Sequence, residues 1–148
     1  MARRRALLDA KQAIARHVLE DAQHAESILK RLHELKATSA EHKQVAGIEE
    51  MVREAASAAH GDEWLQGLYG VVKPWLATVL EAYLAASDPV MDQPTHLVLR
   101  RVLNDLRGQI AWFEGYTPRF SPRSTADTSI WATYLSRRFP RLAWRPAF

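Results

Sequence analysis

The fold can be read first from residues 14–35, IARHVLEDAQHAESILKRLHEL. One set of residues in this stretch recurs at alternating steps of four and three: Ile14, Val18, Asp21, Ala25, Ile28, Leu32 and Leu35. These steps place side chains on one stripe of an α-helix, and a mostly apolar stripe is typical of a helix that packs against others. The pattern predicts an amphipathic first helix over about residues 3–37.

Three further helices are predicted where apolar residues recur at helical spacing between capping signals, over about residues 39–61, 62–87 and 92–115. Pro74 lies inside the third, where it predicts a kink near Gly70–Val71 or a new helix after a short break. Gly115 is predicted to end the fourth. Because the connections are short, consecutive helices should be neighbours, so we expect an all-α, up-down four-helix bundle.

Charge divides the chain into a body and a tail. Residues 1–115 carry 14 Lys+Arg and 16 Asp+Glu, a balance of −2, whereas residues 116–148 carry six Arg and one Asp, a balance of +5. We therefore predict a bundle over 1–115 and a basic tail over 116–148, with a short fifth helix over about 125–138. The tail should dock on the bundle or on a second subunit through its large apolar side chains, Trp131, Tyr134, Leu135, Phe139 and Trp144.

The same features indicate the kind of partner. A homodimer or a protein partner is expected, through the alanine-rich second helix or through the tail. Arginines alternating with aromatic residues in the tail would also suit nucleic acid. Six Arg over 33 residues is a modest density, however, so nucleic acid is not expected.

Composition removes several classes of function. The chain has no cysteine, which excludes disulfides, iron–sulfur clusters and thiolate zinc sites, so any metal needs His, Asp or Glu. No apolar run reaches about 18 residues, so we expect no membrane span and a cytoplasmic protein. Glycine-rich phosphate loops, nucleophile elbows and paired catalytic carboxylates are missing from the sequence.

A cluster of polar residues falls on the predicted interior of the first helix. Asp21 occupies a stripe position where a leucine is usual, and His17 and His24 lie four residues before and three residues after it. An acidic residue three positions before a histidine is the spacing of di-iron carboxylate bundles, because both side chains then point inward. The fourth helix adds Asp105 and Gln109.

Three interpretations of this cluster stay open. It could be a buried hydrogen-bonded network that fixes the helix register. It could instead be a mononuclear metal or acid–base site, holding a single iron or another divalent ion, with His17, Asp21, His24 and Asp105 as ligands. Finally, the register could be misread and Asp21 solvated. A four-carboxylate di-metal centre is not expected, because the second and third helices aim no carboxylate inward.

Aromatic and amide side chains form a second candidate site. Tyr69 and Tyr83 of the third helix and Trp112 and Gln109 of the fourth are predicted to face inward. They either pack as core or line an apolar ligand pocket with polar handles beside Asp21.

Several stretches resemble a bacterial type of ferritin-like domain of the ferritin and rubrerythrin superfamily. They are EDAQHA at 20–25, RLHEL at 31–35, LYGVVKP at 68–74, EAYL at 81–84, DQPT at 92–95 and QIAW at 109–112. The resemblance covers about residues 10–115 and implies a four-helix bundle, whose active members oxidise iron or activate oxygen at paired metals. It carries metal roles to Asp21 and His24, and weakly to Asp105, whereas Gly108 stands where the family has a ligand-type residue.

The expected function follows from that resemblance and from the metal-ligand residues that this sequence lacks. We expect a ferritin-like bundle with a degenerate metal site, acting as an interaction or accessory protein without a resident cofactor. The alternatives are a metal-dependent oxidoreductase with an atypical mononuclear His/Asp centre, and a binder of a small apolar ligand.

Overall fold

The computed structural model describes residues 2–37, 48–58, 60–120 and 125–138. Their regular elements are all helical, which confirms the all-α prediction. The helices are α1 (Ala2–Glu34), α2 (Ile48–Ala56), α3 (Gly61–Gly67), α4 (Lys73–Ala86), α5 (Gln93–Phe120) and α6 (Thr125–Arg138), with a π-helical segment (Leu68–Val72) joining α3 to α4. The predicted start of the second helix and the tail residues Phe139 and Trp144 lie outside the described residues.

One core forms where α5 packs against both α1 and α4. Its buried residues are Leu80, Leu99, Val102 and Leu106, and Ile28 of α1 packs against them. Each such side chain removed from water contributes roughly 1.5–3 kcal/mol, so this apolar contact holds the three long helices together.

A second core lies on the other side of the π-helical segment. Ala55 of α2, Val71 and Leu135 of α6 are buried together, with Ile48 and Trp131 packed against them. Over the described ranges, α2 packs against α3, the π-helical segment and α6, and makes no helix contact with α1.

The π-helical segment coincides with the predicted disturbance at Gly70–Val71. Pro74 has no backbone N–H and its ring crowds the carbonyl four residues earlier, so a regular α-helical turn cannot form there. The backbone N–H of Lys73 instead donates to the carbonyl of Leu68, five residues back. The chain therefore stays helical from Gly61 to Ala86, with one wide turn instead of a break.

The buried stripe of α1 differs from the predicted one. His17 and His24 are buried with Ala10 and Ala13, whereas Val18 is 59% exposed. The predicted stripe is wrong by about one residue in phase. The cause is that α1 carries apolar side chains on two sides, and α5 packs on the side where the histidines find polar partners.

The predicted end of the fourth helix is also wrong. Helix α5 continues through Gly115 to Phe120, and a Cβ at Gly115 would meet nothing within 4 Å. Beyond the glycine, Tyr116 stacks on Trp112 with ring centroids 5.2 Å apart, which favours the extra helical turn.

A polar cluster at the start of α5 ties the three long helices together. Arg31 donates from Nε to Thr95 Oγ1 at 2.8 Å and from Nη2 to Asp92 Oδ1 at 3.0 Å. The Tyr83 hydroxyl donates to Asp92 Oδ2 at 3.1 Å. Burial would raise the pKa of Asp92, but hydrogen bonds from Thr95, Arg31 and Tyr83, together with the Arg31 charge, outweigh it and hold the pKa below its usual value.

Among the described residues, none of the helices combines the length and the apolar character that a membrane span requires.

Candidate functional site

The candidate site centres on a buried lysine at the start of α4. Lys73 is 3% exposed. Its ammonium donates to Asp21 Oδ2 of α1 at 2.6 Å and to Gln109 Oε1 of α5 at 2.5 Å. A buried ammonium is costly unless it is paired and hydrogen-bonded, and here both conditions are met. One cation thus joins α1, α4 and α5.

Gln109 extends the network to a second carboxylate. Its side chain is 2% exposed, and its Nε2 donates to Glu20 Oε2 at 2.9 Å while its Oε1 accepts from Lys73. These two partners fix the amide orientation, because only the oxygen can accept from an ammonium. Asp21 therefore contacts the Lys73 ammonium directly, whereas Glu20 is linked to it through the Gln109 amide.

A histidine–phenol pair lies beside this network. Nδ1 of His17 is 2.8 Å from the Tyr69 hydroxyl, and Tyr69 is 1% exposed. Burial, with added repulsion from Asp21 and Glu20, raises the pKa of Tyr69 to about 12. Burial also lowers the pKa of His17, an effect that Glu20 opposes and Lys73 reinforces. Both shifts favour the uncharged forms, a neutral imidazole and a protonated phenol.

Aromatic rings enclose the pair. Trp112 meets the His17 ring edge-on at 5.0 Å between centroids, and Phe113 stacks on Tyr69 at 5.4 Å. The Lys73 ammonium lies 5.3 Å from the centroid of the Tyr69 ring, within the range of a cation–π contact. This packing explains why both titratable groups keep their neutral forms.

His24 belongs to a separate pair. Its Nε2 donates to Asp105 Oδ2 of α5 at 2.9 Å. An open cavity of about 260 Å³ adjoins it, lined by His24, Ser27, Leu97, Val98, Arg101 and Val102.

The predicted metal ligands do not converge. His17 pairs with Tyr69, Asp21 with Lys73, and His24 with Asp105. In the part of the chain that the structure describes, no group of three or more His, Cys, Asp or Glu could hold a metal ion. An ammonium bonded to Asp21 also repels a second cation at that carboxylate. The metal assignment of His17, Asp21, His24 and Asp105 stays a prediction.

The predicted ligand-pocket residues fall into two places. Tyr69, Gln109 and Trp112 surround the network, whereas Tyr83 lies near the start of α5, where it bonds Asp92. Tyr69 and Gln109 are packed by protein, at 1% and 2% exposure. The three grouped residues act as core and hydrogen-bonding partners, and the pocket stays a prediction.

Lys73 is the residue of the candidate site that the sequence analysis did not identify. It is the single Lys or Arg between Arg53 and Arg100, and it stands within the apolar run Gly70–Leu76. A lone basic residue in an apolar helix, opposite an acid in another helix stripe, is the signal that could have suggested a buried ion pair.

Compared with known proteins, the chain matches no family model, and no curated protein or solved structure is significantly similar to it.

Proposed function

We propose that this chain is a ferritin-like helical bundle with a degenerate metal site, and that it acts as an interaction or accessory protein. The observation that carries the proposal is the position of Lys73 Nζ, 2.6 Å from Asp21 and 2.5 Å from Gln109. In this proposal the ammonium takes the place that a metal cation has in active members of the family.

The chemistry of an ammonium supports a structural role. It supplies one positive charge and three hydrogen-bond donors, but it offers no exchangeable coordination position and no change of oxidation state. Both of its observed partners are protein side chains, and it is nearly inaccessible to water. Such a group can fix how α1, α4 and α5 pack but cannot activate oxygen.

The surface supports the interaction role. Large apolar side chains of α1 are half exposed or more, including Leu8, Val18, Leu19 and Leu29. Contiguous exposed apolar patches on soluble proteins usually mark contacts with other molecules.

Elemental analysis tests the proposal. Full-length protein would be incubated with Fe²⁺ or Zn²⁺, dialysed, and measured for metal per chain, alongside Asp21→Ala. Glu81→Ala serves as the matched control, because Glu81 is an exposed carboxylate paired with Arg107. We expect far less than one metal per chain in all three proteins. About one metal per chain that is lost in Asp21→Ala and kept in Glu81→Ala would overturn the proposal.

A further inference from the structure

The open cavity beside His24 lies between α1 and α5. Helix α1 contributes His24 and Ser27 to its lining, and α5 contributes the other four residues. These include one arginine and no Asp or Glu, and the apolar walls are the aliphatic side chains of Leu97, Val98 and Val102. The volume of about 260 Å³ is below the roughly 300–1,000 Å³ of pockets for drug-sized ligands, so the cavity suits a smaller molecule.

The two side chains that α1 contributes donate their hydrogen bonds to protein atoms. His24 donates from Nε2 to Asp105 Oδ2 at 2.9 Å, and Ser27 Oγ donates to the backbone carbonyl of Gln23 at 2.8 Å. Asp105 is bonded by His24 and is not among the residues that line the cavity. A negatively charged group in the cavity would therefore meet no lining acid, and its partner among the lining side chains is Arg101.

Arg101 has the chemistry to bind such a group. Its side chain is exposed, and none of the ion pairs among the described residues includes it. A guanidinium presents its N–H groups as a planar fork that matches the two oxygens of a carboxylate. One guanidinium supplies one positive charge, which balances a singly charged anion. The aliphatic walls beside it favour a ligand whose remaining part is apolar.

We propose that this cavity binds a small aliphatic carboxylate, with the anionic group on Arg101 and the hydrocarbon part against the three aliphatic side chains. The site is separate from the Lys73 network, and it goes beyond the proposed interaction role. Its ligand differs from the apolar ligand predicted beside Asp21, because here a negative charge is required. Leu97 is 65% exposed, so a ligand in the cavity would cover apolar surface that otherwise faces water.

An NMR titration of the full chain, labelled with nitrogen-15, tests the site. The probes are isovalerate and its neutral isostere isovaleramide, which have the same shape and differ in charge. We expect saturable shifts with isovalerate at the backbone amides of residues 24–27 and 97–102. Isovaleramide should bind roughly tenfold more weakly or worse, because it lacks the charge that Arg101 recognises. Inorganic phosphate, an anion without an apolar part, should also bind more weakly than isovalerate.

Two arginine variants test which side chain holds the carboxylate. Arg101→Gln should weaken isovalerate binding roughly tenfold or more, because it removes the charge and keeps most of the side-chain length. The matched control is Arg100→Gln, since Arg100 is the neighbouring exposed arginine of α5 and does not line the cavity. It should bind isovalerate as the wild type does, and circular dichroism checks that both variants are folded.

Three results would overturn the inference. The first is a wild type without saturable shifts at the cavity residues. The second is equal affinity for isovalerate and either isovaleramide or phosphate. The third is an equal effect of Arg101→Gln and Arg100→Gln on isovalerate binding.

Discussion

At the scale of single residues, the packing of α1, α4 and α5 depends on how the buried charge of Lys73 is compensated. Moving an ammonium out of water costs several kcal/mol, and its attraction to a carboxylate offsets that cost when hydrogen bonds complete the site. Lys73 has the Asp21 carboxylate and the Gln109 amide oxygen, both at short distance. Because Asp21 keeps 42% of its side chain exposed, it retains part of its hydration. The pair is therefore asymmetric, and the lysine depends on the acid more than the acid depends on the lysine.

His17 predicts a pH dependence of stability. Burial lowers the pKa of His17 below 6.5, so the unfolded chain takes up a proton at a higher pH than the folded chain does. The contribution of His17 to the free energy of unfolding should then be constant above about pH 7.5 and fall as the pH drops through 6.5. Urea titrations of the wild type and of His17→Gln at pH 7.5 and 5.5 measure this, and the variant should lose less stability on acidification.

The control for His17 is His60→Gln, because His60 is exposed. Its acid sensitivity should equal that of the wild type. If His17→Gln and the wild type lose the same free energy of unfolding between pH 7.5 and pH 5.5, the fold does not hold His17 in its neutral form.

The sequence indicated a polar cluster on α1 but not the lysine at its centre. Asp21, His17, His24, Asp105 and Gln109 were expected in a polar cluster between two helices, and the structure gives each a polar partner. How these five residues divide into separate pairs depends on tertiary distances. The role of Lys73 depends on a helix whose phase is altered by the π-helical segment, which helical periodicity does not encode.

At the scale of elements, α1 shows why periodicity alone misassigns a buried face. Apolar residues cover two sides of this helix, so the stripe through Val18 and Ala25 satisfied the spacing rule as well as the real one does. The buried stripe includes His17 and His24, whose burial is favourable because Tyr69 and Asp105 complete their hydrogen bonds. His17 and His24 are buried because they have hydrogen-bond partners, whereas the apolar Val18 on the other side of the helix stays exposed.

Two helical glycines predict opposite effects of a methyl group. A Cβ at Gly67 would lie 3.0 Å from Leu135 Cδ1 and 3.3 Å from Trp131 Nε1, inside the α3–α6 contact. Gly108 in α5 has nothing within 4 Å of such an atom. We expect Gly108→Ala to raise the free energy of unfolding by about 0.5–1 kcal/mol and Gly67→Ala to lower it by about 1 kcal/mol.

Chemical denaturation of the two glycine variants under identical conditions gives both values. A stabilised Gly67→Ala would mean that α6 is not packed on α3 as described.

At the scale of the whole molecule, the described residues form two cores joined by the π-helical segment. The first unites α1, α4 and α5, and the second unites α2, α3 and α6. The all-helical class was predictable from periodicity. The partners of α2 were not, because short connections limit which helices can be neighbours without fixing which of them meet.

A substitution of Leu135 tests how much the packing of α6 contributes to the stability of the protein. It is 1% exposed in the second core, between Ala55 and Val71. Leu135→Ala should lower the free energy of unfolding by about 2–4 kcal/mol, through lost burial and the cavity left behind. The exposed Ile130→Ala in the same helix is the control and should change it by less than about 0.5 kcal/mol. Similar small effects of both variants would mean that α6 is an independent appendage.

A double-mutant cycle on Asp21 and Lys73 tests the central claim most directly. Asp21→Ala leaves the buried ammonium with Gln109 alone and should lower the free energy of unfolding by about 2 kcal/mol. In the Lys73→Met background the same change should cost far less, giving a coupling energy of about 1–2 kcal/mol from urea titrations at pH 7. Additive effects, with a coupling energy below about 0.3 kcal/mol, would contradict the claim that Lys73 is the cation that holds this interior together.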